Sequence, residues 1–279
     1  MHIVRHDSAT GLLGRAGDVL RAAEAENNLI LGICGDLDEQ DRPSEAWLLT
    51  VEDEGVVVGV AVMTPPWNLV MTRLSDAAVR CLIEFLLDAK AAIPGIAGPS
   101  PDAGAFARSW SRRTGRTASL HMDQRIYACE QVEPLRPGKG RLRPASAADR
   151  ELLAQWCHDF HVAVKMAKAP ERCEQIVEKL IERQGVFTWE DDVPVSCAAY
   201  SRETPRGVAI NFVYTPPELR GRGYATSCVA ALTQRQLEAG KAFCCLYTDL
   251  SNPTSNSIYQ RIGYQRVCDA QMWDFTGGE

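Results

Sequence analysis

The segment Val213-Tyr214-Thr215-Pro216-Pro217-Glu218-Leu219-Arg220-Gly221-Arg222-Gly223-Tyr224-Ala225 joins an apolar, strand-like run to an amphipathic helical pattern. Of all stretches in this chain it is the best suited to holding a charged ligand. A helix N-terminus presents backbone N–H groups without partners inside the helix and carries partial positive charge, so a loop that opens a helix can bind a pyrophosphate. Gly221 and Gly223 keep Cβ atoms away from those N–H groups, and Arg220 and Arg222 add formal charge beside the same anion. An exposed Gly/Arg turn with no ligand has the same composition. Two other phosphate loops are excluded: a Walker A loop needs Gly-Lys-Ser/Thr, and a dinucleotide fingerprint needs Gly-x-Gly-x-x-Gly after a first parallel strand.

The elements that must position this turn are legible on both sides. Three strand-like runs, 186–189, 195–201 and 208–214, are separated by the turns Asp191-Asp192-Val193-Pro194 and Thr204-Pro205-Arg206-Gly207, which predicts an antiparallel meander leading into the turn. Behind it the pattern predicts a helix over 223–238 ending at Gly240, a buried strand over 242–248, a helix over 254–261 stopped by Gly263, and a closing pair of strands, 264–268 and 271–275. Ahead of the meander, Leu142 to Ser146 reads as a short strand running into a capping box formed by Ser146 and Asp149. A helix beginning at 147 buries Leu152, Leu153, Trp156 and Phe160, and a second, over 171–183, follows Pro170.

Glu133-Pro134-Leu135-Arg136-Pro137-Gly138-Lys139-Gly140 has the composition of a linker, so residues 1–132 and 141–279 are read as separate domains joined by 133–140. A chain of 279 residues is long enough for both. In the first part, 47–51, an acidic turn, 56–63, Pro65-Pro66 and 69–72 echo the later meander. There the chain passes directly into Ser75-Asp76 and a helix bearing Val79, Leu82, Ile83 and Leu86, with no glycine-rich turn. Residues 1–132 are therefore either a related domain without a ligand or an unrelated α+β domain.

Bulk composition narrows the class. With 46% hydrophobic and 24% charged residues the chain is that of a folded globular protein. No apolar run is long enough to cross a bilayer, and the start, Met1 to Asp7, lacks the apolar core of a secretory signal, so the expected location is cytoplasmic, with no membrane partner. Thirty Lys+Arg against 36 Asp+Glu is the opposite of a nucleic-acid footprint and mildly favours a cationic amine substrate. The ten cysteines form no C-x-x-C pair and are expected to pack as small hydrophobes, Cys197, Cys244 and Cys245 inside strands. His158 and His161 lack a third ligand at metal-binding spacing, so no metal is expected.

Arg220-x-x-Gly223-x-Ala225 resembles the Gln/Arg-x-x-Gly-x-Gly/Ala pyrophosphate motif of the GNAT superfamily of acyl-CoA-dependent N-acyltransferases. Asn252-Pro253-Thr254-Ser255-Asn256-Ser257-Ile258-Tyr259-Gln260-Arg261-Ile262-Gly263-Tyr264 resembles the superfamily's later Asn-x-x-Ala/Ser-x-x-Leu/Ile-Tyr-x-x-x-Gly-Phe/Tyr segment, one helix and one strand further on. The resemblance covers 141–279 well and 1–132 faintly. It implies an α+β fold of two GNAT-like domains, the first degenerate, each a mixed, mainly antiparallel sheet flanked by helices. It implies acetyl-CoA as cosubstrate, in a cleft where the strands 208–215 and 242–248 part, with Arg220, Gly221, Arg222, Gly223, Tyr224 and Ala225 around the pyrophosphate.

By the same resemblance Val213 and Thr215 pair with the pantetheine arm, Asn252 touches that arm or merely caps its helix, and Tyr259 stands near the sulfur as general acid or packs as a core tyrosine. The general base stays unassigned among Glu190, Asp191, Asp192, Glu203 and Asp249. The expected reaction is direct acetyl transfer to a primary amine of a small-molecule or peptide acceptor chosen by residues 147–183, in a monomer or homodimer. An acyl-CoA-binding module without turnover, another acyl chain, or a hydroxyl acceptor are the alternatives.

Overall fold

The computed structural model describes residues 1–39, 45–136 and 138–277. The chain opens with β1 (His2–Arg5), after which the Ser8 hydroxyl accepts from the Gly11 N–H and starts α1 (Ala9–Ala22), whose Leu12, Ala16 and Leu20 recur every fourth residue on the buried face. Next come α2 (Asn28–Glu39), β2 (Trp47–Asp53), β3 (Val56–Met63) and β4 (Leu69–Met71). Ser75 caps α3 (Asp76–Asp88), followed by β5 (Gly95–Pro99), α4 (Asp102–Thr114) and the long β6 (Thr117–Cys129).

Residues 133–140, of which Pro137 lies outside the described residues, lead from β6 to β7 (Arg141–Pro144). The expected capping box is present: Ser146 and Asp149 satisfy each other's backbone across a single 3-10 turn, Ala147–Asp149, and the α-helix proper begins only afterwards, as α5 (Arg150–Ala163). Pro170 occupies the first turn of α6 (Pro170–Glu182). The meander follows as β8 (Val186–Asp191), β9 (Val193–Glu203) and β10 (Gly207–Tyr214), antiparallel throughout. A short 3-10 turn, Pro217–Leu219, precedes α7 (Tyr224–Glu238), β11 (Phe243–Asp249), α8 (Pro253–Ile262) and β12 (Gln265–Thr276).

The expected closing pair of strands is a single one. β12 runs unbroken through Asp269-Ala270, absorbing its irregularity as register slips at Arg266/Cys268 and Met272/Trp273. Its neighbours explain why it needs no hairpin: β12 lies between β5 and β6, both antiparallel to it. The strands form one twelve-stranded sheet in the order β1-β2-β3-β4-β5-β12-β6-β11-β10-β9-β8-β7. Each half thus contributes its last strand to the other's sheet. Among the described residues only β4/β5 and β10/β11 are parallel, so the architecture is α+β, two mainly antiparallel half-sheets flanked by helices.

Side chains reinforce the join. Glu24, between α1 and α2, is buried and accepts from the Thr204 hydroxyl at 2.6 Å, the Arg206 N–H at 2.7 Å and Arg206 Nε at 2.9 Å, in the turn between β9 and β10. Burial pushes its carboxyl up, but these donors more than offset that and hold it below the usual range. Because β6 comes from the first half, residues 141–279 produced alone should expose the edge of β11 and lose Tyr127 from their core. The fragment is expected to aggregate or bind a hydrophobic dye, while 117–129 fused to it should restore solubility. A fragment that is monomeric and cooperatively folded would contradict this.

Asp149 yields a pH prediction. Arg143 grips both its oxygens at 2.8 Å, and this pairing, opposed by burial and aided by Ser146, lowers its carboxyl from 3.8 to about 2. A depressed folded value means stability that is complete above 3.8 and lost as pH falls through about 2. Allowing for solvent screening, Asp149→Asn should cost about 1–2 kcal/mol at neutral pH, and the gap from wild type should narrow below about pH 4. Urea denaturation at several pH values measures it.

Candidate functional site

The site is a wedge between strands. β10 pairs with β11 only from Gly207 to Ala209, against Phe243 to Cys245. Beyond that point β11 keeps to β6 as far as Asp249, whereas β10 keeps to β9 as far as Tyr214. A bulge at Asn211/Tyr214, where Phe212 takes φ of 45°, bends β10 further away. Phe212 and Tyr214 then pack beneath α5 and α6, while Val213 turns to the cluster under α7 and α8. Thr215, buried at the end of the bend, meets the Ser196 hydroxyl at 2.9 Å. Val213 and Thr215 therefore stand on the wall of the opening.

The turn after β10 is shaped by glycine. Gly221 and Gly223 have φ of 76° and 81°, the left-handed region, and nothing lies within 4 Å of where a Cβ would be on either. Gly223 is the N-cap of α7, and α7 has neither a capping side chain nor an acid in its first turn, so no side-chain oxygen caps its leading N–H groups. Arg220 and Arg222 are exposed beside it; Arg220 Nε donates to the Thr215 carbonyl at 3.0 Å, and Arg222 reaches the Glu218 carbonyl at 3.5 Å. Tyr224 is different. Its ring is buried and its hydroxyl donates to Asp191 at 2.8 Å, so the side chain anchors the helix and only its backbone fronts the turn. Gly138 extends this anchoring by donating its N–H to the Ser227 hydroxyl at 2.8 Å.

Tyr259, on α8, shares a buried cluster with Tyr224, Leu246 and Tyr264, the last packed edge-on at 5.9 Å. Burial alone pushes its phenol up to about 12. Its hydroxyl has no hydrogen-bond partner among the described residues. Asn252 caps α8, accepting from the Ser255 N–H at 3.0 Å, which commits its side chain to the helix. Tyr127, from β6, was not expected at the site: its hydroxyl donates to Asn256 at 3.2 Å and accepts from Gln260 at 3.3 Å, steadying α8 from below.

The carboxylates considered as bases are engaged elsewhere. Glu190 pairs with Arg141 and Arg143, Asp191 with Lys139 and Tyr224, Asp192 with Lys139, and Glu203 with Lys241, while Asp249 accepts from the Ser251 N–H. Asp159 on α5 comes closer to the wedge, 3.5 Å from the Tyr214 hydroxyl. Two cavities lie near these elements, one on the α5–α6 side and one over the junction of the two half-sheets, where α2 meets β4, β5, β6 and β12. One, of about 270 Å³, is lined by Asn211 and Phe212 of β10 with α5 and α6. The other, of about 190 Å³, is lined by Tyr247 of β11, Arg202, Met166 and the start of α2. The guanidinium of Arg202 lies 5.4 Å over the Tyr247 ring.

Comparison with known proteins agrees with this geometry. Residues 194–273, which contain both sequence motifs, match the family model described as FR47-like protein. A GNAT-family acetyltransferase from Colwellia psychrerythraea is 12% identical, with a TM-score of 0.58 over 99% of this chain and 100% of that one. A GCN5-related N-acetyltransferase from Sphaerobacter thermophilus is 16% identical, with a TM-score of 0.64 over 97% and 94%. A tandem GNAT protein from the clavulanic acid biosynthesis pathway is 14% identical, with a TM-score of 0.57 over 100% and 99%. No curated protein matches. The chain has the GNAT fold in tandem arrangement, as its motifs implied. No helix among the described residues is long and apolar enough to cross a membrane.

Proposed function

We propose that the second half is an acyl-CoA-dependent acyltransferase that moves an acetyl group from acetyl-CoA to a primary amine of a small molecule. The observation that carries this reading is the uncapped, glycine-opened N-terminus of α7 beside the β10/β11 wedge. Gly221, Gly223 and the backbone of Tyr224 and Ala225 hold the diphosphate, with Arg220 and Arg222 supplying charge. The diverging strand edges at Val213 and Thr215 take the amides of the pantetheine arm. Acetyl-CoA supplies an activated thioester. The cavity of about 270 Å³ beside Asn211 and Phe212 suits a compact acceptor better than an extended chain.

A backbone N–H near Val213 stabilises the oxyanion formed when the amine nitrogen attacks the acetyl carbon. Tyr259 then donates a hydrogen bond to the sulfur as the C–S bond breaks. Burial raises the phenol to about 12, so in this reading Tyr259 acts by donating a hydrogen bond and keeps its proton. The proton lost by the amine nitrogen is the one that ends on the CoA sulfur, through water, which conserves atoms and charge.

Titration with acetyl-CoA followed by an amine screen for free thiol tests the reading, since a binding module saturates without releasing CoA. Gly223→Asp should abolish acetyl-CoA binding through its side chain and charge, and retained affinity would count against the assignment. Tyr259→Phe should lower kcat by about 10-fold or more with acetyl-CoA affinity kept. Because Tyr259 titrates only near 12, that loss should be uniform between about pH 6 and 9, leaving the shape of the profile unaltered. A rate that converges on wild type at one end of that range would reassign the residue.

A further inference from the structure

The sequence spaces Cys157 and His161 four apart on α5, which places them on one face, one turn from each other. Cys173 lies near the start of α6 and is brought to the same point by the packing of the two helices. The two sulfurs and a ring nitrogen of His161 all lie within 4.8 Å of one another. Cys157 Sγ and His161 Nδ1 are 3.5 Å apart, so the ring lies against the thiol. Both cysteines are fully buried, and Cys157 and His161 form part of the wall of the cavity of about 270 Å³.

We infer that Cys157, His161 and Cys173 form a site for one soft transition-metal ion, zinc in the first instance. Two thiolates and an imidazole are the donor set such an ion selects, and no carboxylate lines the cavity to favour magnesium or calcium. The charges facing the cluster are Lys168, Lys179 and Arg183, which oppose a bare cation. Two thiolates cancel a divalent charge, so the loaded site is neutral and the lysines face no net repulsion. His161 Nδ1 also lies 2.7 Å from the Cys157 carbonyl oxygen; with that nitrogen donating to the backbone the ring is held in place and Nε2 is left as the metal-binding atom. The fourth position opens on the cavity, where water completes the shell. The ion clips α5 to α6, the helices that roof one side of the wedge, and this inference stands whether or not the protein transfers acyl groups.

The test is titration of the reduced, metal-free protein with Co²⁺ and then Zn²⁺. One Co²⁺ per chain should bind with thiolate-to-cobalt absorption in the ultraviolet and the intense visible bands of four-coordinate cobalt, and Zn²⁺ should displace it. Cys173→Ala and His161→Gln should each weaken binding by at least about 100-fold, whereas Cys81→Ala on α3 should leave it unchanged. His161→Gln sits at the cavity edge and keeps the test open if the buried Cys173→Ala fails to fold. Absence of the thiolate band, its persistence in His161→Gln, or a Cys157–Cys173 disulfide forming with no metal bound would overturn the site.

Discussion

The antiparallel pairing of β6 with β12 holds the molecule together. It runs from Thr117/Thr276 to Ala128/Gln265, and each of the two strands closes the half-sheet of the other half of the chain. A half-sheet ending at β5 or β11 would present an unpaired edge, and exchange of the last strand removes both edges at once. The apolar side chains follow the backbone. Ile126 joins Cys268 and Ala270, Phe275 completes the core of the first half with Trp110, and Tyr127 enters that of the second. A hydrogen-bonded pair of this length ties the halves together across the proline-rich passage between them.

The wedge depends on this exchange. Its two walls belong to different neighbours: β10 is drawn toward β9 by the meander and its bulge, while β11 is held straight by six residues paired to β6. Had β11 been an edge strand it could have followed β10, closing the gap. The first half therefore acts on the site without lining the phosphate turn. It supplies β6 as the fixed wall, Tyr127 as the support of α8, and Glu24 as a clamp on the turn entering β10.

Local pattern disclosed the second half closely, because its signals are local. The Ser146–Asp149 box, Pro170, Gly240 and Gly263 are punctuation that acts within a few residues, and the elements fall within one to three residues of where they were expected. The exchange left no such trace. Whether β12 pairs with a hairpin partner or with a strand 150 residues earlier does not alter its alternation, so Asp269-Ala270 passed for a turn. Tyr127 and Cys173 escaped for the same reason: each reaches its place by tertiary packing rather than by spacing. Tyr224 illustrates the converse, a residue inside the motif whose ring serves the core through Asp191.

The two halves show why one crossover helix is fit to meet an anion and its counterpart is not. α3 and α7 occupy the same place, each linking a pair of parallel strands. At α3 the Ser75 hydroxyl caps the Ala78 N–H, Asp76 fills the first turn, and Asp102 accepts from the Leu74 N–H at 3.1 Å. A leading N–H and the positive end of the dipole are thus met by the protein's own oxygens, and an incoming diphosphate would meet negative charge. At α7 a left-handed glycine replaces the serine, no acid stands in the first turn, and Arg220 and Arg222 are exposed in the turn before it, while Asp191 is taken up by the Tyr224 hydroxyl and Lys139. Helix capping and anion binding draw on the same unpaired N–H groups, so a helix start can be sealed for stability or left uncapped, and α3 is capped by a side chain where α7 is not.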